Sequence, residues 1–327
     1  MSEIASNQPY PSISVVIVNW NSGNLLNQCI AHLAKQTVTP LQLFVVDNAS
    51  SDSSTQQIKN SDQVIFCPMS ENLGFARGNN WAISQCKSDY VVLLNPDAFP
   101  EPDWLEQLCR AAQTYPDVAV FGSRQLNQRD PEIMDGAGDI YHISGLVWRD
   151  RYGLKQQAQD RIGREIFSPC AAASMYSRSA LAEVGGFDED YFCYVEDIDL
   201  GFRLRLAGYK ARYVPEAVVH HVGSATTGGQ HSDFSIYHGH RNLVWTFVKN
   251  IPGVLFWVLL PLHIVLNLLS IAWFSVHGKG RVILRAKRDA LLGLPNAWKK
   301  RKNIQRARVA SVGNIWTLLD KRLLKKS

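Results

Sequence analysis

From residue 13 to about residue 120, short apolar runs alternate with amphipathic stretches, and three of the runs end in polar side chains. Ile13–Val18 leads into Asn19-Trp20-Asn21, Leu41–Val46 into Asp47-Asn48, and Tyr90–Leu94 into Asn95-Pro96-Asp97; Val64–Cys67 and Val118–Phe121 complete the series. Between them, Leu25–Lys35, Ser53–Lys59, Gly78–Gln85 and Trp104–Tyr115 carry helical patterns. This alternation predicts an α/β fold with a mostly parallel central sheet covered on both faces. Ligands of open α/β sheets bind at the carboxyl ends of the strands, so the polar run-ends mark one edge as a ligand site.

Beyond Phe121 the pattern changes. Arg124–Phe167 is polar, with glycines and two aromatic patches, and predicts only loops and short strands. Ser179–Val184 reads as a short helix closed by Gly185-Gly186, and Val195–Ala207 as a longer one closed by Gly208. Tyr237–Lys249 is helical in pattern. Ile251–Val276 then contains no Lys, Arg, Asp or Glu, which by length is enough to cross a bilayer core. Pro261, His263 and Asn267 interrupt it, and Pro261 is expected to divide it into two short apolar halves.

The chain has 327 residues, 46 % of them hydrophobic, which is enough for a sizeable core. Its six cysteines form no CxxC pair, which fits free thiols in a reducing compartment and argues against cysteine-bound zinc. MSEIASNQPYPS lacks the pattern of a signal peptide, so the body is expected in the cytoplasm. The net charge of +5 hides an asymmetry: residues 277–327 hold 15 Lys and Arg against two acids, and residues 1–276 hold 19 against 27. A single crossing from a cytoplasmic body would place this basic tail outside, against the positive-inside rule. The expectation is therefore a re-entrant or interface-lying helical pair, with Lys299-Lys300-Arg301-Lys302 on anionic lipid headgroups and no nucleic-acid partner. The chain divides into an N-terminal extension (1–11), an α/β domain (12–250), an apolar membrane-associated segment (251–276) and the basic tail (277–327).

Several constellations carry chemistry. Asp47, with Asn48, Ser50, Ser51 and Asp52, can accept from a base imide or a ribose hydroxyl, although Asp and Ser are also ordinary helix caps. In Asn72-Leu73-Gly74-Phe75-Ala76-Arg77-Gly78-Asn79-Asn80, two glycines permit close backbone approach and Arg77 offers a planar donor fork. Asn95-Pro96-Asp97 puts one carboxylate where a hard cation would share it with a diphosphate, or is simply a capped turn. Glu196-Asp197-Ile198-Asp199 gathers acids at a helix N-terminus, where the dipole favours them even without chemistry; as a functional group, Asp197 would be a general base. Asp199 points to another face, and Glu196 would orient the acceptor. His220 and His221 follow a strand and point to opposite sides, so at most one meets a cation, with His220 narrowly preferred over His221 and a packed or solvated imidazole as the plain alternative. Arg241 is a candidate diphosphate contact.

Taken together, SVVIVNWNS, VVDNASSD, NLGFARGNN, LLNPDA, GGFDEDYFCYVEDIDLGFRLRLAGY and the His220-His221 segment resemble the inverting glycosyltransferases of family 2, more narrowly their bacterial rhamnosyltransferase-like branch. The resemblance spans residues 12–250. It implies a GT-A (Rossmann-like) fold, a nucleotide-sugar donor and a divalent cation, Mg²⁺ or Mn²⁺. It also implies Asp47 on the base, Asn19, Asn48, Arg77, Asn79, Asn95 and Arg241 around the donor, Asp97 with His220 or His221 on the metal, and Asp197 as base beside Glu196 and Asp199 on the acceptor side. Asn95 stands where many members carry an acid. The expected activity is transfer of a sugar, L-rhamnose from a dTDP donor, to a lipid-linked saccharide at the cytoplasmic face of the bacterial inner membrane. A nucleotidyltransferase and a non-catalytic nucleotide-sugar-binding subunit are the alternatives; a dehydrogenase is disfavoured because no GxGxxG follows the first strand.

Overall fold

The computed structural model describes residues 10–223 and 232–322, so positions 1–9 of the expected extension and 323–327 of the tail lie outside the described residues. Four strands, β1 (Ile13–Asn19), β2 (Gln42–Asp47), β3 (Val64–Pro68) and β4 (Tyr90–Leu94), form a wholly parallel block in the order β4-β1-β2-β3. Their inward side chains are apolar on both faces, so helices α1 (Leu25–Leu33), α2 (Gly74–Gln85) and α3 (Trp104–Thr114) cover the sheet, as a parallel sheet requires.

The second half of the sheet is mixed and builds the far wall of the strand-end edge. It comprises β5 (Ala98–Pro100), β6 (Val118–Asn127), β7 (Met134–Gly136), β10 (Arg164–Glu165), β11 (Ala173–Ser177) and β12 (Lys210–His221), while β8 (Asp139–Tyr141) and β9 (Val147–Arg149) pair as a separate two-stranded sheet. β11 runs antiparallel between β4 and β6, and β12 lies parallel to β6. β5 pairs with the last turn of β12, opposing Ala98 to His221 and Phe99 to His220. β7 pairs with the same end of β6. The chain after Asp97 is thereby fixed beside His221, and the Val222 N–H donates to the Asp97 carbonyl at 3.0 Å.

Helices α4 (Arg178–Val184) and α5 (Glu196–Leu206) follow β11. The C-terminal region is helical: α6 (Asp233–Asn250), α7 (Gly253–Val276), α8 (Gly280–Leu292), α9 (Leu294–Ala307) and α10 (Val312–Leu318). Three expectations are corrected here. Ser53–Lys59 is not a helix but a run of turns, because Asp52 accepts from the Gly23 and Ser54 N–H groups at 2.8 and 3.1 Å and pins the loop. Pro261 does not divide the apolar segment: α7 is one 24-residue helix. Pro261 lies on its exposed side, while Phe256, Leu259 and His263 pack on the body to either side and hold the helix through that point. Lys299-Lys300-Arg301-Lys302 is not one lipid-facing patch either. Helical spacing turns Lys300 toward Asp188 and Asp190 and Arg301 toward the carbonyls of Val248 and Ile251, leaving Lys299 and Lys302 exposed.

The C-terminal helices are joined to the α/β domain by a buried ion cluster. Lys249 of α6 reaches Asp199 of α5 at 2.8 Å and also pairs with Asp188, in the turn before α5. Asp199 also pairs with Arg203 at 2.8 Å and accepts from Asn250 at 2.8 Å and Tyr191 at 3.2 Å. Burial alone would raise the Asp199 carboxyl, but Lys249 and Arg203 hold it far below the usual carboxylate range. We expect Lys249→Met to strand two buried carboxylates and cost about 3–5 kcal/mol in urea unfolding; a loss within experimental error would show that the cluster contributes nothing net. The Asp199 contribution is fully present above its unfolded pKa of about 3.9 and is lost as pH falls toward its depressed native value.

Candidate active site

The donor side forms where β1 and β2 end. Asn19 is fully buried and its Nδ2 donates to Asp47 Oδ1 at 2.8 Å and to Ser54 Oγ at 3.0 Å. Asp47 also accepts from the Ser50 hydroxyl at 2.6 Å and the Ser50 N–H at 3.1 Å. These donors lock its carboxylate in one orientation while leaving lone pairs over. Asn48 anchors its amide nitrogen on the Gly74 carbonyl at 3.0 Å, and its buried Oδ1 has no hydrogen-bond partner. A buried orphan acceptor at a strand end is what a donor ligand would satisfy.

α2 closes this side and is latched to the loop before α5. The N–H groups of Phe75 and Ala76 donate to the Phe192 carbonyl at 2.7 and 3.2 Å, Asn80 bonds the Phe187 backbone, and Arg77 pairs with Glu189 at 3.1 Å. Gly74 has φ +77°, and a Cβ there would lie 2.6 Å from Phe192, so glycine is required for the approach. Asn79 was expected at the donor; it is buried, and its Nδ2 folds back to the Phe75 carbonyl at 2.9 Å, so its own helix consumes the donor group. Asn95 is half-buried, and its N–H donates to the Ala172 carbonyl at 2.9 Å.

The two histidines separate cleanly. His220 points outward and meets Glu101 at 2.8 Å. His221 is buried with Nε2 3.3 Å from Asp97 Oδ1 and Nδ1 2.7 Å from Asp135 Oδ2. The preference for His220 is therefore reversed: the β5–β12 register turns His221, not His220, toward Asp97. Burial opposes a charge on His221, yet Asp135 and Asp97 together raise it to about 9. Its Nε2 makes no hydrogen bond of good geometry. The imidazole thus sits between two carboxylates, with Nε2 facing Asp97 and Nδ1 braced by Asp135, and such a histidine–carboxylate pair could hold a divalent cation once the ring gives up its proton. Among the described residues no three His, Cys, Asp or Glu side chains converge as a complete cage, which leaves further positions to a diphosphate and water.

From this pair a chain of charges leads to α5. Asp135 pairs with Arg149, and burial, which disfavours the Arg149 charge, is outweighed by Cys170, Asp135, Asp139 and Asp197 around it. The Ala171 N–H donates to Asp197 Oδ2 at 3.3 Å, and the next residue, Ala172, accepts from Asn95. The segment Ala171–Ala172 thus bonds Asp197 through one residue and Asn95, two positions before Asp97, through the next. Burial raises the Asp197 carboxyl above the ordinary range, with the N–H groups of Ala171 and Ile198 pulling the other way. Glu196, buried with Oε2 unpartnered, is pushed well above its usual value by burial and by Asp197. Asp139, whose Oδ2 is also unpartnered, is raised by burial and by Asp197.

Asp199 is no acceptor contact, because Lys249, Arg203, Asn250 and Tyr191 surround its carboxylate. Arg241 was expected at the donor diphosphate; it packs over Trp245 at 4.4 Å and donates to the Asp190 and Tyr191 carbonyls, on the acceptor side of the loop. Asp135, Asp139 and Arg149 escaped sequence reasoning, since Met134-Asp135-Gly136-Ala137-Gly138-Asp139 has no amphipathic period; acids between glycines were the one available signal. A cavity of about 610 Å³ beside β8, β10 and α10 touches the site only at Asp139. Of its basic groups, Arg164 is paired with Asp150 and Arg322 with Asp320, while Lys321 donates to the Leu319 carbonyl at 2.9 Å.

Comparison with known proteins agrees with this geometry. An N-acetylglucosaminyl-diphospho-decaprenol L-rhamnosyltransferase of Mycobacterium tuberculosis is 29 % identical over 250 residues, covering 69 % of this chain and 81 % of the relative. A poly-beta-1,6-N-acetyl-D-glucosamine synthase of Staphylococcus aureus is 23 % identical over 272 residues, covering 81 % of this chain and 63 % of the relative. Among solved structures, GalNAc-T7 with UDP, GalNAc and Mn²⁺ superposes with TM-score 0.60 at 14 % identity, covering 73 % of this chain and 49 % of that one. A mannosyltransferase from Pyrobaculum calidifontis with GDP-Man and Mn²⁺ gives TM-score 0.52 at 17 % identity, covering 95 % and 91 %. These likenesses establish the GT-A fold. They do not favour the nucleotidyltransferase or non-catalytic alternatives. Residues 14–185, over half of the chain, match the profile described as Glycosyl transferase family 2, and the chain belongs to that family of glycosyltransferases.

Proposed function

We propose that this enzyme transfers L-rhamnose, with inversion, from dTDP-rhamnose to a hydroxyl of a lipid-linked saccharide during cell-surface polysaccharide synthesis. The observation that carries the reading is that Ala171 bonds Asp197 and Ala172 bonds Asn95, two positions before Asp97, while Asp97, His221, Asp135 and Arg149 form a run of contacts whose last member acts electrostatically on Asp197. The mycobacterial relative, named for L-rhamnosyl transfer to a diphospho-decaprenol-linked sugar, supports the donor and acceptor classes.

Asp47, held by Asn19 and Ser50, receives the base, and Asn48 Oδ1 accepts from the nucleoside. Asp97 and His221, the latter only after the cation displaces the proton that its two acid partners favour, would hold a divalent cation, which when bound offsets the charge of the leaving diphosphate. Asp197 takes the proton of the acceptor hydroxyl, and its raised carboxyl is the better matched to that task near neutral pH. Glu196, kept protonated by burial, donates a hydrogen bond that orients the acceptor.

The enzyme rests on the cytoplasmic face of the inner membrane as a monotopic protein. α7 passes the length and composition criteria for a span, with mean hydropathy 2.3 over its best window. Its polar members His263, Asn267 and Ser270 are turned away from solvent, whereas Trp257, Leu268, Leu269 and Trp273 are 64 %, 61 %, 63 % and 61 % exposed. An outward face this apolar matches lipid rather than water. α8, packed along α7, carries Arg281, Arg285 and Arg288, and taking these into hydrocarbon would cost about 2.5–3.5 kcal/mol each. The helix therefore lies in the interface plane.

Incubating the purified enzyme, Mn²⁺ and lipid extract with a panel of nucleotide sugars tests the reading: dTDP-rhamnose should give a rhamnosylated lipid product, and turnover with a different donor alone would replace rhamnose. Asp197→Asn should retain donor binding and lose about 10²- to 10⁴-fold in kcat. In the parent enzyme kcat/KM should fall as the base protonates, with an acid limb above the ordinary carboxylate value of about 3.9; an unshifted limb would remove Asp197 from that role. Asp135→Asn should weaken Mn²⁺ activation by about 10- to 100-fold, as expected for an outer-shell carboxylate. His221→Ala should abolish that activation and His220→Ala should leave it intact; the opposite ranking would move the metal site.

A further inference from the structure

We propose that Arg241 and Arg285 form the binding site for the diphosphate group of the lipid-linked acceptor, set between the bilayer-facing helix and the catalytic base. The inference rests on the acceptor reading above and assigns to it a place and a chemistry.

Two guanidinium groups share one ring here. The Arg241 Cζ lies 5.4 Å and the Arg285 Cζ 4.9 Å from the centroid of Tyr237. The acid beside them, Asp289, is 3.9 Å from Arg285 and already bonds the Tyr237 hydroxyl and Arg288, each at 2.8 Å. Lys287, nearby on α8, donates to the His240 carbonyl at 3.0 Å. Arg149 and Arg203 each hold a carboxylate at hydrogen-bonding distance, whereas Arg241 is bonded only to neutral groups and Arg285, 69 % exposed, meets Asp289 only at 3.9 Å. Positive charge of fork geometry that is at most loosely paired, backed by an aromatic ring, is the arrangement that recognises phosphate.

The position of the pair is as informative as its charge. On one side, His240, the residue before Arg241, packs on Phe274 of α7 with centroids 4.9 Å apart, which sets this part of α6 against the apolar helix. On the other, His238 stacks on Phe192 at 5.4 Å. Arg241 itself donates to the Asp190 and Tyr191 carbonyls at 3.2 and 3.1 Å, which ties the guanidinium to the loop that leads into α5 and its acids. Phe234, Tyr237, His238 and Arg241 fall on one face of α6 by helical spacing. From membrane to base the surface is therefore apolar, cationic, aromatic and then acidic. A lipid diphosphate sugar has the same order: hydrocarbon, diphosphate, pyranose ring and reacting hydroxyl.

The test titrates the full-length enzyme in phosphatidylcholine nanodiscs with farnesyl diphosphate or farnesol, following tryptophan fluorescence, since Trp245 lies under Arg241. The diphosphate should bind at least about 10-fold more tightly, as expected for charge-assisted contacts. Arg285→Gln should remove most of that difference and Arg285→Lys only part of it. Arg285 makes no contact with the loop before α5 in which a substitution would disturb the base, unlike Arg241, so it is the cleaner variant. A Lys299→Gln, Lys302→Gln double variant, exposed on α9, should keep the preference. Equal binding of the two probes, equal loss in the lysine variant, or erasure of the preference by phosphatidylglycerol would each overturn the proposal, the last by showing a general headgroup site. The assay contains no donor, so an error in the donor sugar leaves its outcome untouched.

Discussion

The ammonium group of Lys249 is the constraint on which the active-site architecture depends. It is buried between Asp188 and Asp199, so it joins α6 to both ends of the loop that delivers Glu196 and Asp197. That loop is not relaxed backbone. Phe192, Tyr194 and Val195 all have positive φ, a conformation that side chains adopt only when their surroundings compel it. Asn242 supplies more of the compulsion by donating to the carbonyls of Tyr191, Cys193 and Tyr194 at 3.1, 3.0 and 2.8 Å. The C-terminal helices are therefore part of the catalytic frame as well as of the membrane surface.

The polar interior is built as a relay of opposite charges between two strand ends. Asp97, His221, Asp135 and Arg149 alternate in sign, which makes the burial of each tolerable and spaces the two functional carboxylates. At the end of the relay the environment diverges: His221 is held charged by two acids, while Glu196 and Asp197 lie where burial favours their neutral forms. One fold thus keeps an imidazole charged and two carboxyls pushed toward neutrality along a single run of polar contacts.

The parallel half of this architecture was legible because its runs are apolar on both faces and end abruptly in Asn19, Asp47 and Asn95. Helix α5 was legible from its acidic start and glycine stop. The mixed half was not: β7, β8 and β9 are three residues each, too short for a period, and the pairing that brings Asp135 and Arg149 to His221 is long-range. Adjacent histidines differ only by strand register, which a sequence does not reveal, and so His220 was favoured over His221. Pro261 misled because its effect depends on which side of α7 it occupies. The basic tail misled because charge counts ignore direction, and Lys300 and Arg301 are spent inside the protein.

The latch between α2 and the Phe192 carbonyl has a mechanical meaning. Gly74 sits so close to Phe192 that the two segments have no slack between them, and Asn80 and Arg77 fasten the same loop farther along. Helix α2 and the loop that leads into α5 consequently move as one gear, so a shift of either is transmitted to the other.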